Sequence, residues 1–393
     1  MHSNSKITDW ILISVFLALI GIAIPATIFS WDFYDVQDCR GLAEKPDIDA
    51  VSLSALPGQF ESYLNDHFGF RNALVRRYNK MIKVRLCNES NNAIKCEENR
   101  WLWLKETLLD YLGHRETSKD DLERWRLVLE GRRAWLAERG ICYLFVVPPN
   151  KATIYSEYLP NQIRMYKRET RLEKLLVYMK ENSTVLILDL RDALFEDKNH
   201  RQVYFSTDSH WNGYGRFRGY QKLILKIKEC LPEISDPLPF DITRFTLRTV
   251  VGDLFDFVDV ERDAYAELAP FIRNDGLSPF SQRENTDDWV LEKLHTLRNW
   301  EKARLMQTHN PEKNLRGVLF HDSFMPGRDF LFAQHFGEFH NLWFRAEYDL
   351  LKKAVESYQP DVVIDEVQER ALYGSPDDHP EWAAARKRYC SKK

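Results

Sequence analysis

The sequence predicts an α/β protein in which a parallel sheet carries helices on both faces, preceded by one N-terminal transmembrane helix. Three observations lead there. Short apolar runs alternate along the chain with amphipathic stretches. Those runs lack polar alternation, as strands buried on both faces do. An uncharged run of 19 residues, Ile11 to Phe29, lies near the start. With 393 residues there is ample material for a large core. Lys and Arg number 55 against 59 Asp and Glu, so the basic surplus that a nucleic-acid partner needs is missing.

The run from Ile11 would span about 28 Å as a helix, close to the hydrocarbon thickness of a bilayer. Trp10 and Trp31 sit at its ends, where interfacial aromatics belong. Lys6 and the amino terminus precede it, and Asp32, Asp35 and Asp38 follow. The positive flank stays inside, which puts the rest of the chain outside the cytoplasm. A cleaved signal peptide is the alternative, but no small-x-small site stands between Phe29 and Cys39. Residues 1–35 therefore read as a cytoplasmic stub and inner-membrane anchor, and 36–393 as one periplasmic domain. That location permits disulfides. Cys87 and Cys96 bracket the polar run Asn88 to Asn92 and are a candidate pair, whereas Cys142, inside an apolar run, reads as a buried free thiol. No Cys-x-x-Cys pair exists, so a structural zinc site is not expected, and the reading includes no metal.

After a linker over 36–58, apolar residues recur at helical spacing from Phe60 to Leu86. Trp101 to Leu104 is a short strand, and Leu122 to Arg139 an amphipathic helix. Ile141 to Val147, ended by Pro148-Pro149, begins the parallel sheet. Val185 to Leu190, Gly317 to Phe320 and Asp361 to Ile364 are its further strands. Leu172 to Met179 and Gly213 to Cys230 are helices, the latter with a loose, glycine-containing start. Leu247 to Pro311 is charged and irregular and reads as an insertion over the sheet edge.

In open parallel sheets, functional groups gather in loops at the carboxyl ends of strands. Ser323, in His321-Asp322-Ser323-Phe324, stands at such a strand-to-helix corner. A hydroxyl there can be exposed beside backbone N–H groups that face an oxyanion, although a helix N-cap serine needs the same position. Asp208 and His210, two apart in an extended loop, point to one side. Asp208 would hold the imidazole by Nδ1 and leave Nε2 as a base. A capping aspartate with a satisfied histidine is the plainer reading, and a metal pair would need a third ligand that the local sequence does not offer. Asn150, Lys151 and Trp211 are candidate substrate-binding residues, the first two standing equally well in a solvated loop. The 11 Trp and 13% aromatics suit either core packing or a carbohydrate groove.

The two segments together, a strand followed by Asp-Ser and a distant Asp-x-His-Trp, resemble the SGNH-like domain of the alginate O-acetyltransferase AlgJ/AlgX family. Further segments follow the family's order. They are Phe68-Gly69-Phe70-Arg71, Trp101-Leu102-Trp103, Pro148-Pro149-Asn150-Lys151, Tyr158-Leu159-Pro160, Gly252-Asp253-Leu254, and Pro360 to Val363 with Glu369-Arg370. The likeness runs from about Phe60 to Leu372. It implies Ser323 as nucleophile, His210 as base and Asp208 as its orienter, on an SGNH-hydrolase-like sheet. His321 departs from the glycine that usually precedes the Asp-Ser pair. The implied activity is acetyl transfer to a secreted or cell-surface polysaccharide through an acetyl-serine, with no cofactor and with a membrane-bound O-acyltransferase supplying acetyl. A carbohydrate esterase with the same triad is the alternative, as is a non-catalytic glycan-binding assembly subunit. The topology has a direct check. A reporter active only in the periplasm, fused after Lys393, should work, and a cytoplasmic reporter should stay silent; the reverse pattern would place the domain inside.

Overall fold

The computed structural model describes residues 100–391, except 116, 259–261, 286, 296–305, 326–328 and 374–375. It also describes 21, 45–46, 56–67, 88–89 and 93–95. Two compact units, 1–91 and 92–393, are distinguished. In the first, Leu56–His67 is helical. The expected anchor over 11–29, Gly21 apart, the proposed boundary at 35, and the Cys87–Cys96 pair lie outside the described residues. No helix among the described residues is long and apolar enough to cross a membrane.

The second unit is built on a seven-stranded sheet. Its strands, numbered here with two short preceding ones, are β3 (Cys142–Val147), β4 (Ile187–Asp189), β7 (Ser281–Glu284), β8 (Met306–His309), β9 (Arg316–Phe320), β10 (Glu338–Leu342) and β11 (Val362–Glu366). The short pair is β1 (Ala93–Lys95) and β2 (Leu102–Leu104), which are antiparallel. A separate antiparallel ribbon joins β5 (Phe245–Val250) to β6 (Glu267–Ile272). In the main sheet the order is β4-β3-β11-β9-β10-β8-β7. The first five strands run parallel. The last two are antiparallel additions at one edge.

The central strands are buried on both faces, which is why their sequences do not alternate. Tyr143, Phe145, Val147, Val318, Phe320 and Val363 share one core with Trp125, Leu129, Leu351 and Trp382. Leu144, Val146, Leu319 and Ile364 point the other way and are buried too. Helices start where the sequence supplies caps. Ser118 and Asp121 form a reciprocal capping box on α1 (Lys119–Ala137), and Thr170 and Glu173 do so on α2 (Arg171–Asn182). The start of α3 (Gly213–Ile227) is not loose, because the Asn212 side chain accepts from the N–H groups of Tyr214 and Gly215.

Two expectations need correction. The stretch from Leu247 to Pro311 is not irregular; it supplies β7 and β8, which lengthen the sheet. β7 was unreadable because an exposed edge strand needs no apolar pattern, and β8 because it is only four residues long. Cys142 is not a free thiol: it is disulfide-bonded to Cys230, with Cα atoms 6.2 Å apart. Cys142 is the first residue of β3 and lies half-buried at its rim, where a bond can reach the end of α3. Cys390 is free and exposed. The bridge closes a loop across 88 positions, and rings of that size restrict the unfolded chain strongly. Replacing both Cys142 and Cys230 by alanine should lower the unfolding free energy by about 2–4 kcal/mol in urea titrations; an unchanged midpoint and slope would show that the bond carries no stability.

Candidate active site

The carboxyl ends of β3, β9 and β11 converge on one rim. β3 runs into Pro148-Pro149-Asn150-Lys151, β9 into His321-Asp322-Ser323, and β11 into Gln368 and Glu369. Against this rim lies the loop 205–212, tied back by an isolated bridge between Tyr204 and Trp211.

Ser323, His210 and Asp208 are brought together although 113 positions separate the serine from the histidine. Ser323 Oγ lies 2.8 Å from His210 Nε2. His210 Nδ1 lies 2.7 Å from Asp208 Oδ1, which also accepts the His210 backbone N–H at 2.9 Å. With a carboxylate opposite Nδ1, that nitrogen carries the proton, and Nε2 is left as acceptor for the serine hydroxyl. Burial alone would raise the Asp208 carboxyl. The His210 hydrogen bond and charge, with the Asp253 N–H, outweigh it and hold Asp208 well below the usual carboxylate range.

Asn150, Lys151 and Trp211, read from sequence as substrate-binding, have other work. Lys151 is buried at 3% exposure, and its ammonium donates to the backbone carbonyls of Phe205, Ser206 and Asp208 at 3.2, 3.0 and 2.7 Å. It is a positioning residue that fastens the base-bearing loop to the end of β3, and the loop it stands in is not solvated. Asn150 is buried, and its backbone N–H donates to Glu369 Oε2 at 2.6 Å. Trp211 is fully buried and donates from Nε1 to the Phe324 carbonyl at 2.7 Å. It thereby ties the base loop directly to the nucleophile corner. A β-carbon at Gly219 would collide with the Trp211 ring, so that helix position requires glycine for close approach.

Four acidic residues that complete the site were not singled out for it from sequence. Asp253 receives the Ser209 N–H and hydroxyl, each at 2.7 Å, and its own N–H donates to Asp208 Oδ2 at 3.0 Å. Gly252 before it is packed so tightly on Thr207 and Asp208 that a β-carbon would overlap their backbone. Burial, and then the Asp208 charge, raise the Asp253 carboxyl. Asp208, His210 Nδ1 and Asp253 place donor atoms within 4.8 Å of one another, so the third ligand missing from the local sequence comes from the Gly252-Asp253-Leu254 turn. That Nδ1 already serves Asp208. Glu267 accepts the N–H groups of Ser206 and Thr207 at 2.9 and 2.8 Å. Glu366 accepts the Asp322 N–H at 2.9 Å and, fully buried, is pushed well above its ordinary range. Acids closing a buried apolar strand, as Asp365-Glu366 do, are the one signal that could have marked it. Glu369 accepts from Asn150 and from Thr153. His321, in place of a glycine, is buried against Trp343 with Nδ1 2.6 Å from the Asp322 carbonyl. Burial lowers it to about 4, so it stays neutral.

Residues 96–289 match the family described as SGNH hydrolase-like domain, acetyltransferase AlgX. That segment is similar to an AlgX-type SGNH hydrolase-like domain. Asp208, His210 and Asp253 fall inside the matched segment, and Ser323 beyond it. Among similar proteins is the probable alginate O-acetylase AlgJ of Pseudomonas putida, 23% identical over 186 residues, which are 47% of each chain. The AlgJ protein of Pseudomonas aeruginosa is 22% identical over 241 residues, 61% of this chain and 58% of that one. The chain thus spans about half the length of the relatives it matches. The solved structure of Bacillus cereus PatB1 has the same fold, with a TM-score of 0.53, 19% identity, and coverage of 73% of this chain and 99% of that one.

Glu369 gives the site a pH signature. Burial raises its carboxyl from 4.5 to about 7, against the opposing pull of the Asn150 N–H. A carboxyl raised on folding stabilises the fold fully below pH about 4.5, and that contribution is lost as pH rises through about 7. The loss amounts to at most about 3 kcal/mol. Glu369→Gln, which mimics the protonated form, should gain on the wild type by about 1–3 kcal/mol between pH 4.5 and 8 in urea unfolding. A difference independent of pH would contradict this.

Proposed function

We propose that the chain is an O-acetyltransferase that acetylates a secreted or cell-surface polysaccharide through an acetyl-serine on Ser323. The observation that carries this reading is the continuous relay Ser323–His210–Asp208, with contacts of 2.8 and 2.7 Å. The acetyltransferase description of the matching family and the alginate O-acetylase name of the relatives support the same reaction class and an alginate-like acceptor.

In the first half-reaction, His210 Nε2 takes the Ser323 proton while Oγ attacks the acetyl carbonyl carbon. The carbonyl π electrons move to oxygen, and in this reading the Ser323 N–H donates to the negative charge there. The intermediate collapses, the donor's leaving group departs with the proton from His210, and acetyl-serine remains. In the second half, His210 removes the proton of a sugar hydroxyl, whose oxygen attacks the acetyl carbon. Ser323 leaves and recovers its proton. Asp208 stays ionised throughout and stabilises the imidazolium. The acetyl donor in this reading is a membrane-bound O-acyltransferase, and the domain faces the periplasm, anchored by residues 11–29 in the inner membrane. The Cys142–Cys230 bond favours an oxidising compartment.

The relay predicts non-additive losses. Ser323→Ala and His210→Ala should each reduce acetyl transfer to polysaccharide by about 10³-fold or more, and the double variant should be hardly worse than either. Asp208→Asn should be severe through the wrong tautomer. Release of p-nitrophenol from its acetate ester, measured alongside acetylation of the polymer by the full chain, separates transfer from hydrolysis. Multiplying losses in the double variant would show that serine and histidine act separately. Full activity in a folded Ser323→Ala protein would dispose of the mechanism.

A further inference from the structure

At the far edge of the sheet lies a cavity of about 860 Å³, within the range of small-ligand sites. It is bounded by β7, β8 and β10, by α4 (Asp288–His295) and by the end of α5 (Tyr348–Tyr358). β10 runs parallel to β9, and the cavity reaches its first residue, Glu338, whereas Ser323 follows the last residue of β9. The two sites are therefore separated by roughly 15 Å along the strands.

Three residues from three different elements line this cavity and each carries a buried polar atom without a hydrogen-bond partner. These atoms are Thr308 Oγ1, His340 Nδ1 and Trp289 Nε1. Thr308 and His340 are 3% and 6% exposed. Buried polar groups are nearly always satisfied, so three at one cavity point to a hydrogen-bonding occupant. The walls supply ring faces as well: the Tyr358 and Trp289 rings lie 6.0 Å apart, and His340 stacks on Tyr358 at 3.5 Å. Tyr358 is itself fixed, donating to Asp287 and accepting from Asn285. Ring faces beside mixed donors and acceptors match a pyranose, which has apolar C–H faces and a rim of hydroxyls.

Charge narrows the class. The fixed charges are three carboxylates, Asp287, Asp288 and Glu338, against one guanidinium, Arg283, which is held by the Gln307 amide. Burial keeps His340 neutral. A polyuronate would meet net repulsion here. Nor do these acids form a cation cage, since the described residues contain such a donor group only at Asp208, His210 and Asp253. We propose that this cavity is a second saccharide site that holds an uncharged pyranose segment at the end of the sheet away from Ser323.

The site stands independently of the acetyl-transfer reading, so its test reads binding. The detergent-solubilised full chain would be titrated calorimetrically with cellohexaose, mannohexaose and hexamannuronate. At least one neutral hexasaccharide should bind, and hexamannuronate at least tenfold more weakly. Trp289→Ala and Arg283→Ala should each weaken neutral-sugar binding about tenfold with ester turnover unchanged, and Ser323→Ala should bind like the wild type. Should Trp289→Ala lower the melting temperature, the exposed Arg283 decides. Absence of binding by both neutral sugars, equal or tighter binding of the uronate, wild-type affinity in Arg283→Ala, or lost binding in Ser323→Ala would each overturn the proposal.

Discussion

The Lys151 ammonium, buried beneath the loop 205–208, is the interaction on which the catalytic geometry rests. A loop of that kind exposes carbonyls that must find donors. Three of them find one ammonium, which replaces water that a buried rim cannot hold. A charged donor strengthens each bond and leaves the loop a single position. Because Lys151 stands just past the buried Pro148-Pro149-Asn150 turn that ends β3, the imidazole is tied to the central sheet. Glu369 then holds the N–H of Asn150, one residue earlier, so that β11 is drawn into the same support.

The acids around the relay are differentiated by their surroundings. Asp208 keeps its charge because imidazole and backbone donors face it, whereas Glu366 and Glu369 are buried away from comparable compensation and favour the proton. One ionised carboxylate beside the imidazole defines where positive charge can be stabilised. Acids that burial biases toward the protonated form serve at neighbouring strand ends as hydrogen-bonding struts. Asp253 stands between these cases, with the Asp208 charge beside it and Ser209 donating to it.

Much of this was legible in the sequence where one pattern meant one thing. The apolar runs Ile141–Val147 and Asp361–Ile364 read correctly as parallel strands, found at Cys142–Val147 and Val362–Glu366, since burial on both faces favours such composition. Ser323, His210 and Asp208 were offered by residue type and position, where capping roles read equally plainly, and it was the family resemblance that set them together. The edge strand β7 was not legible, because its exposure permits charged residues such as Arg283 and Glu284, nor was its neighbour β8, whose four residues are too few to show a pattern. Lys151 and Trp211 were noticed but assigned to substrate, because a polar or aromatic residue near a motif looks the same whether it faces a ligand or braces the loop that does. The role of Glu267, and the pairing of Cys142 with Cys230, depend on folding distant segments together and leave no local trace.

The Cys142–Cys230 bridge also divides the machinery in time. The ring it closes contains Asn150, Lys151, Asp208 and His210, while Ser323 lies downstream of both cysteines. In any chain produced and exported amino terminus first, both thiols emerge ahead of the serine. The half that carries the base can thus be covalently locked while the nucleophile is still being delivered. The site is completed only when two later strands arrive, because β11 lies between β3 and β9 in the sheet, and a product that stops short of them holds only the half with Asp208 and His210.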